Sequence, residues 1–123
     1  MRVLVTGCRD WGYPWIVAGA LDSVREMCLY MNTGLEVRHG ACRTGADLAA
    51  HQWCEKNIAT GVTEEPFPAD WSTGVNAGPL RNIRMFDNPV DLVLAFWDGR
   101  SKGTKHTIDL ATKRRILTIV RFS

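Results

Sequence analysis

The chain has 123 residues, of which 46% are hydrophobic and 23% are charged. Chains of this length usually form one domain, and this composition is typical of a globular protein with a buried core. The formal net charge of +2 is too small to indicate nucleic-acid binding, for which a strongly basic face is expected. We therefore expect one domain that covers residues 1–123.

The cysteines and the hydropathy exclude further classes. The four cysteines form no C-x-x-C pair, and no histidine stands at zinc-finger spacing, so we predict no metal site and no cofactor. No apolar run approaches the roughly 20 residues that a membrane span needs, and no signal peptide precedes the first apolar segment. We expect a cytoplasmic protein without a membrane partner.

The first half of the chain predicts an alternation of strands and helices. Residues 2–6 form a continuous β-branched and apolar run, which is typical of a strand that is buried on both faces. Apolar residues recur at helical spacing over 15–31 and again over 46–56. A second strand is predicted between these helices, over residues 35–39.

The second half continues the same alternation. Residues 61–66 predict a third strand near a sheet edge, because the segment carries charges and Pro66. The connection over 67–78 is long enough for a functional loop. A helix is predicted over 77–86, with Leu80, Ile83 and Phe86 packed inward. The remaining predicted elements are a central strand over 91–97, a helix over 105–115 and a last strand over 116–122.

This order predicts an α/β protein with a three-layer Rossmann-like fold, in which helices flank a mostly parallel central sheet. In such sheets ligands bind beyond the carboxyl ends of the strands, where the strand order reverses. Three glycine-containing breaks follow predicted strands directly, at residues 7–12, 40–45 and 99–103. We expect these breaks to meet at one edge of the sheet and to bind one ligand.

Each break also carries positive charge, from Arg9, from Arg43, and from Arg100 with Lys102. Glycines at a strand-to-helix turn allow close backbone approach, and the helix start favours an anion. A phosphate-containing ligand is therefore favoured over plain turns. The segments match neither the P-loop nor the G-x-G-x-x-G dinucleotide fingerprint, so a different nucleotide-binding geometry is implied.

Four motifs together resemble the SLOG superfamily, and most closely its small YspA-related group, which is common in phages and actinobacteria. They are Thr6-Gly7-Cys8-Arg9, His39-Gly40 through Gly45-Ala46-Asp47, Ala77-Gly78-Pro79 with Arg81-Asn82 and Met85, and Gly99 through Gly103-Thr104. The resemblance implies a Rossmann-like domain that binds a nucleotide or a nucleotide-derived ligand such as ADP-ribose. It also implies a homo-oligomer.

The resemblance and the loop composition together give one set of candidate ligand-binding residues. Glycine positions would let the backbone approach the ligand, Asp47 would accept a ribose or base hydrogen, and the last helix start would hold the phosphate. The candidates are Gly7, Arg9, Asp10, Trp11, Gly40, Arg43, Gly45, Asp47, Arg81, Asn82, Gly99, Ser101, Gly103 and Thr104.

Several roles stay open at this level. Asp47 fits a ligand acceptor and equally an acid in the first turn of a helix. His39 fits an acid or base and equally a hydrogen-bonded structural residue, while exposure is favoured for His106 over contact with phosphate. Trp11, Trp71 and Trp97 could stack on a base, whereas Trp15 and Trp53 fit a core or an interface.

Two other functions remain as alternatives. Relatives called LOG proteins are phosphoribohydrolases that cleave the N-glycosidic bond of a nucleoside monophosphate with a catalytic Glu, where this chain has Thr107. Asp47, Asp98 or Asp109 would have to replace that Glu. DprA-like relatives bind DNA, but the basic C-terminal segment, with Lys113, Arg114, Arg115 and Arg121, is better explained by a helix C-terminus that favours cations.

Overall fold

The computed structural model describes residues 1–122, so the last residue of the expected domain lies outside the described residues. Within these described residues, five strands alternate with four helices. The strands are β1 (Arg2–Gly7), β2 (Leu35–His39), β3 (Val62–Pro66), β4 (Leu92–Trp97) and β5 (Leu117–Phe122). The helices are α1 (Pro14–Tyr30), α2 (Gly45–Asn57), α3 (Ala77–Arg84) and α4 (Lys102–Lys113), with short 3₁₀ turns at Ile58–Thr60 and Trp71–Thr73.

The strands form one parallel sheet in the order β3-β2-β1-β4-β5. From β1 the chain moves outward to β2 and β3, and then returns to place β4 on the other side of β1. The order therefore reverses between β1 and β4, where Val5 pairs with Leu94. The predicted α/β Rossmann-like fold is confirmed, and so is the position of β3 at an edge.

Alternate residues of β1 face two separate layers of helices, as the period of a strand requires. Val3 and Val5 pack with α1 and α2, in a core that includes Val17 and Ala50. Leu4 points to the opposite face and packs in a cluster with Met85, which directly follows α3, with Ala111 of α4 and with Val93 of β4. The sheet is thus covered on both faces, which explains the continuous apolar run of its central strands.

Two helices differ from the prediction. Helix α4 begins at Lys102 rather than Lys105, because the Ser101 hydroxyl caps it and accepts a hydrogen bond from the Thr104 N–H at 3.4 Å. In the segment 77–86, which contains α3, the prediction of inward packing is wrong for Leu80 and Ile83, which are 51% and 42% exposed, and it is confirmed for Phe86, which packs against the core. Asn82 is buried instead, since the inner face of this helix makes polar contacts with α4.

Within residues 1–122 the structure contains no helix with the length and apolar character that a membrane crossing demands.

Candidate functional site

A cleft of about 710 Å³ opens at the carboxyl end of the sheet, beside the point where the strand order reverses. Segments that follow β1, β2 and β4 line it, together with α3 and the connection between β3 and α3. The lining residues are Thr6, Gly7, Cys8, Arg9, Asp10, Gly40, Cys42, Asp47, Trp71, Val75, Gly78, Pro79, Arg81, Asn82, Met85, Asp98, Ser101, Lys102, Gly103, Thr104 and His106.

One end of the cleft is suited to an anion. The first turn of α4 lies there, with Ser101, Gly103 and the buried Thr104, and the first amides of a helix have no partner within the helix. Arg9 lines the same cleft from the loop after β1. The turn before α4 is held by Asp98, whose carboxylate accepts the N–H groups of Ser101 and Arg100 at 2.8 Å each. These bonds hold the pKa of Asp98 below its usual range.

Glycines allow the loops to pack closely at two positions. At Gly40, a Cβ atom would lie 2.6 Å from Nη1 of Arg81 and 2.9 Å from Oδ2 of Asp47, so a side chain there would displace both groups. Gly45 has a φ of +68° and lies directly against the carbonyl of Cys8, so the loops after β1 and β2 touch through their backbones.

Two adjacent side chains of α3, Arg81 and Asn82, connect this helix to the loop after β2 and to α4. Arg81 donates to the Gly40 carbonyl and, through Nε, to the Asn82 amide oxygen at 2.9 Å. The Asn82 amide nitrogen lies 3.2 Å from Nδ1 of His106 and 3.4 Å from the Gly103 carbonyl, both on α4. Two residues of α3 therefore link the loop after β2 to the first turns of α4.

Asp47 is a buried carboxyl group that lines the cleft, although it also lies in the first turn of α2. One of its oxygens accepts the Cys42 N–H at 3.1 Å. Burial raises the pKa of Asp47, because desolvation outweighs this bond and the nearby positive charge of Arg81. Burial also lowers the pKa of Arg81. The floor of the cleft thus contains an acid that holds its proton more strongly than a free Asp does.

Part of the cleft lining is apolar. It contains Trp71, Val75 and Pro79, and the guanidinium of Arg9 lies 5.7 Å from the Trp71 ring centroid. Of the three tryptophans proposed to stack on a base, Trp71 alone lines the cleft. Trp11 is buried in the core against Phe96, and Trp97 donates its indole N–H to the Ser101 carbonyl.

Ten of the fourteen candidate residues line this cleft, and four do not: Trp11, Arg43, Gly45 and Gly99. Arg43 is exposed outside the cleft, and Gly99 occupies a turn with a φ of +80°. Val75 also lines the cleft and was not among the candidates, because nothing in the sequence marks which side of a loop faces a cleft.

Two groups of side chains offer metal ligands. Cys8, Asp10 and Asp98 have ligand atoms within 4.8 Å of one another, and so do His39, His51 and Glu64. Burial raises the pKa of the Cys8 thiol, which disfavours the thiolate that binds metals. The His39 group lies outside the lining of the cleft and is hydrogen-bonded, with His39 and His51 at 2.5 and 2.7 Å from one Glu64 oxygen.

The fold and the cleft define a doubly wound α/β protein with a cleft at the switch point of its sheet. A family model described as the YspA, cpYpsA-related SLOG family matches residues 1–74. The chain is also 41% identical over 121 residues to the Gene 61 protein of Mycobacterium phage D29, which covers 96% of this chain and 94% of the phage protein. No solved structure shows significant similarity. The chain belongs to the YspA-related SLOG family.

Proposed function

We propose that this protein binds a nucleotide or a nucleotide-derived ligand in the cleft, in order to sense, sequester or process it. The observation that carries this proposal is the convergence of three loops and α3 on one cavity. The α4 start and Arg9 favour a phosphate, and Trp71, which also lines the cavity, favours an aromatic base. A volume of about 710 Å³ accommodates a ligand of that size.

Buried polar side chains that line the cleft suit a sugar. Asp47 and Asn82 are both buried and line the cleft, and carboxylate and amide groups bind hydroxyls. Arg81 is held in place by the Gly40 carbonyl, so its charge is already positioned before a ligand arrives. A pre-positioned site costs less ordering free energy on binding.

Isothermal titration with AMP, ADP-ribose, NAD and cyclic nucleotides tests this proposal. We expect Trp71→Ala to weaken binding by about 5- to 150-fold, because loss of base stacking costs about 1–3 kcal/mol. The matched control is Trp15→Ala, since Trp15 is comparably exposed, at 65% against 59%, but does not line the cleft. Absence of heat with all four ligands on folded protein would refute the proposal.

Charged residues provide a second comparison. Arg9→Met should weaken binding of phosphate-containing ligands, and Arg43→Met should leave it unchanged, because only Arg9 lines the cleft. Equal effects of the two substitutions would indicate a general electrostatic field rather than a specific contact.

Hydrolysis of an N-glycosidic bond is a second candidate function. The burial of Asp47 and its raised pKa favour this function, because simple binding does not need an acid that keeps its proton. A buried acid with a raised pKa can hold a proton for a leaving group. Thr107 is fully buried, and Asp109 is paired with Lys105 at 2.8 Å and does not line the cleft. Release of base from nucleoside monophosphates by the wild type, and its loss in Asp47→Asn, would support hydrolysis.

Self-association is a further part of the proposal. The edge strand β5 exposes Leu117, Ile119 and Phe122, whereas the other edge strand, β3, carries Glu64 and Glu65. Charges protect an edge strand from pairing, and apolar side chains do not. Light scattering after size-exclusion chromatography should show a homo-oligomer that Ile119→Lys dissociates.

A further inference from the structure

A network of hydrogen bonds outside the cleft connects the end of β2 and the loop after it to β3 and α2. The Ala41 N–H donates to Nδ1 of His39 at 3.0 Å, and Nε2 of His39 lies 2.5 Å from Oε2 of Glu64 on β3. The same Glu64 oxygen lies 2.7 Å from Nδ1 of His51 on α2, and Nε2 of His51 lies 2.5 Å from Glu55. His39 is 2% exposed.

This geometry defines the tautomer of His39. Because Nδ1 accepts a backbone N–H, it carries no proton, and the proton of the neutral ring is on Nε2, which donates to Glu64. A histidine that binds a metal through Nε2 donates Nδ1–H to its second partner. His39 has the opposite arrangement, so the group His39, His51 and Glu64 is a hydrogen-bonded network and not a metal site.

Nδ1 of His39 accepts a hydrogen bond from Ala41, whose backbone has an unfavourable conformation. Ala41 has a φ of +58°, in the left-handed region, which is unfavourable for a residue with a Cβ atom. The residues on either side of it contact groups of the cleft: the Gly40 carbonyl accepts from Arg81, and the Cys42 N–H donates to Asp47 at 3.1 Å. If Ala41 relaxed to a negative φ, both of these contacts would be redirected.

We propose that His39 is a positioning residue for the cleft: its Nδ1 atom holds Ala41 in the left-handed conformation, and thereby places the backbone groups that orient Arg81 and Asp47 toward the ligand. Glu64 has a supporting role, because it fixes the His39 tautomer. This inference rests on the proposed ligand binding, since it names the residue that shapes the binding loop from outside the cleft.

Two substitutions of His39 test the hydrogen bonds of its two ring nitrogens independently. The Asn side chain has its polar atoms at the position of Nδ1, so His39→Asn keeps an acceptor for Ala41 and loses Glu64. His39→Gln reaches the position of Nε2, so it keeps Glu64 and loses Ala41. We expect His39→Gln to weaken binding of AMP or ADP-ribose about tenfold, which corresponds to one lost hydrogen bond. We expect His39→Asn to remain within about threefold of the wild type.

A measurement without ligand tests the same claim. In ¹⁵N NMR spectra the wild type should show His39 as the Nε2–H tautomer, and the Ala41 amide should be protected from hydrogen exchange in the wild type and in His39→Asn but not in His39→Gln. An Nδ1–H tautomer in the wild type, or equal Ala41 protection in both variants, would overturn the inference. If the wild type binds no nucleotide while these NMR results hold, the proposed function fails and the positioning of the loop by His39 stands.

Discussion

Substitution of Gly40 by Ala tests the geometry of the cleft most directly. The added Cβ would lie 2.6 Å from Nη1 and 2.8 Å from Cζ of Arg81, well inside ordinary van der Waals contact. The backbone of Gly40 lies one residue from the strand β2 and cannot yield easily, so the guanidinium has to move. Its charge-assisted bond to the Gly40 carbonyl then breaks, and Oδ2 of Asp47, at 2.9 Å, is displaced as well.

The magnitudes differ for stability and for binding. A hydrogen bond from a charged donor contributes about 1.5–3 kcal/mol, and partial hydration of the released Arg81 reduces the loss. Replacement of Gly by Ala reduces the conformational entropy of the unfolded chain, and this raises the free energy of unfolding by about 0.4–1 kcal/mol. We therefore expect the free energy of unfolding to fall by only about 1 kcal/mol. Nucleotide affinity should fall by at least tenfold, because two cleft residues lose their positions together.

Urea denaturation and isothermal titration measure the two quantities on the same variant. The matched control is Gly12→Ala, because a Cβ at Gly12 meets no atom within 4 Å and the residue lies in a neighbouring loop. Unchanged affinity in Gly40→Ala, for a wild type that binds, would refute the view that Arg81 and Asp47 contact the ligand. A loss of several kcal/mol in stability would instead indicate that Gly40 is primarily structural.

Three further predictions concern stability. Gly19 lies inside α1 with open space at its Cβ position, so Gly19→Ala should raise the free energy of unfolding by about 1 kcal/mol, and an unchanged melting temperature would contradict this. Arg38 is fully buried and donates to the Met85 carbonyl at 2.9 Å, so Arg38→Met should cost about 2–4 kcal/mol in urea denaturation, whereas a neutral result would show that its ion pairs contribute nothing net. The hydrogen bond to Glu64 raises the pKa of His51 in the folded protein. Protonated His51 therefore stabilises the fold fully below the unfolded pKa of about 6.5, and this stabilisation is lost as the pH rises through the pKa of the folded state. The stability difference between the wild type and His51→Gln should therefore be larger at pH 6 than at pH 9, and a constant difference would rule out this linkage.

The sequence could predict the layers of the fold because hydrophobic period and glycine placement are local signals. The continuous apolar runs of β1 and β4 indicated buried parallel strands, and the charges of β3 indicated an edge. The same signals failed in α3. There the sequence favoured Leu80 and Ile83 as the inward face, but the inward face of this helix is Asn82, whose amide contacts α4.

Candidate residues were predictable by type but not by direction. Arg9 and Arg43 are equivalent in the sequence, since each is an Arg in a glycine-containing loop after a strand, yet only Arg9 lines the cleft. Likewise three tryptophans lie at or after strand ends, and of these only Trp71 forms part of the cleft wall. Local composition records which residues stand at the sheet edge and does not record where each side chain points.

The sequence by itself therefore determined the alternating α/β order, the family, and the strand ends at which a ligand site can form, because each of these depends on residues close together in the chain. Only the tertiary structure decided which side chains share the cleft, and that His39 supports the loop from behind through Ala41 and Glu64. The cleft lining and the contact of His39 with Glu64 bring together residues that are far apart in sequence, and their geometry depends on strand order and helix rotation, which no local pattern encodes.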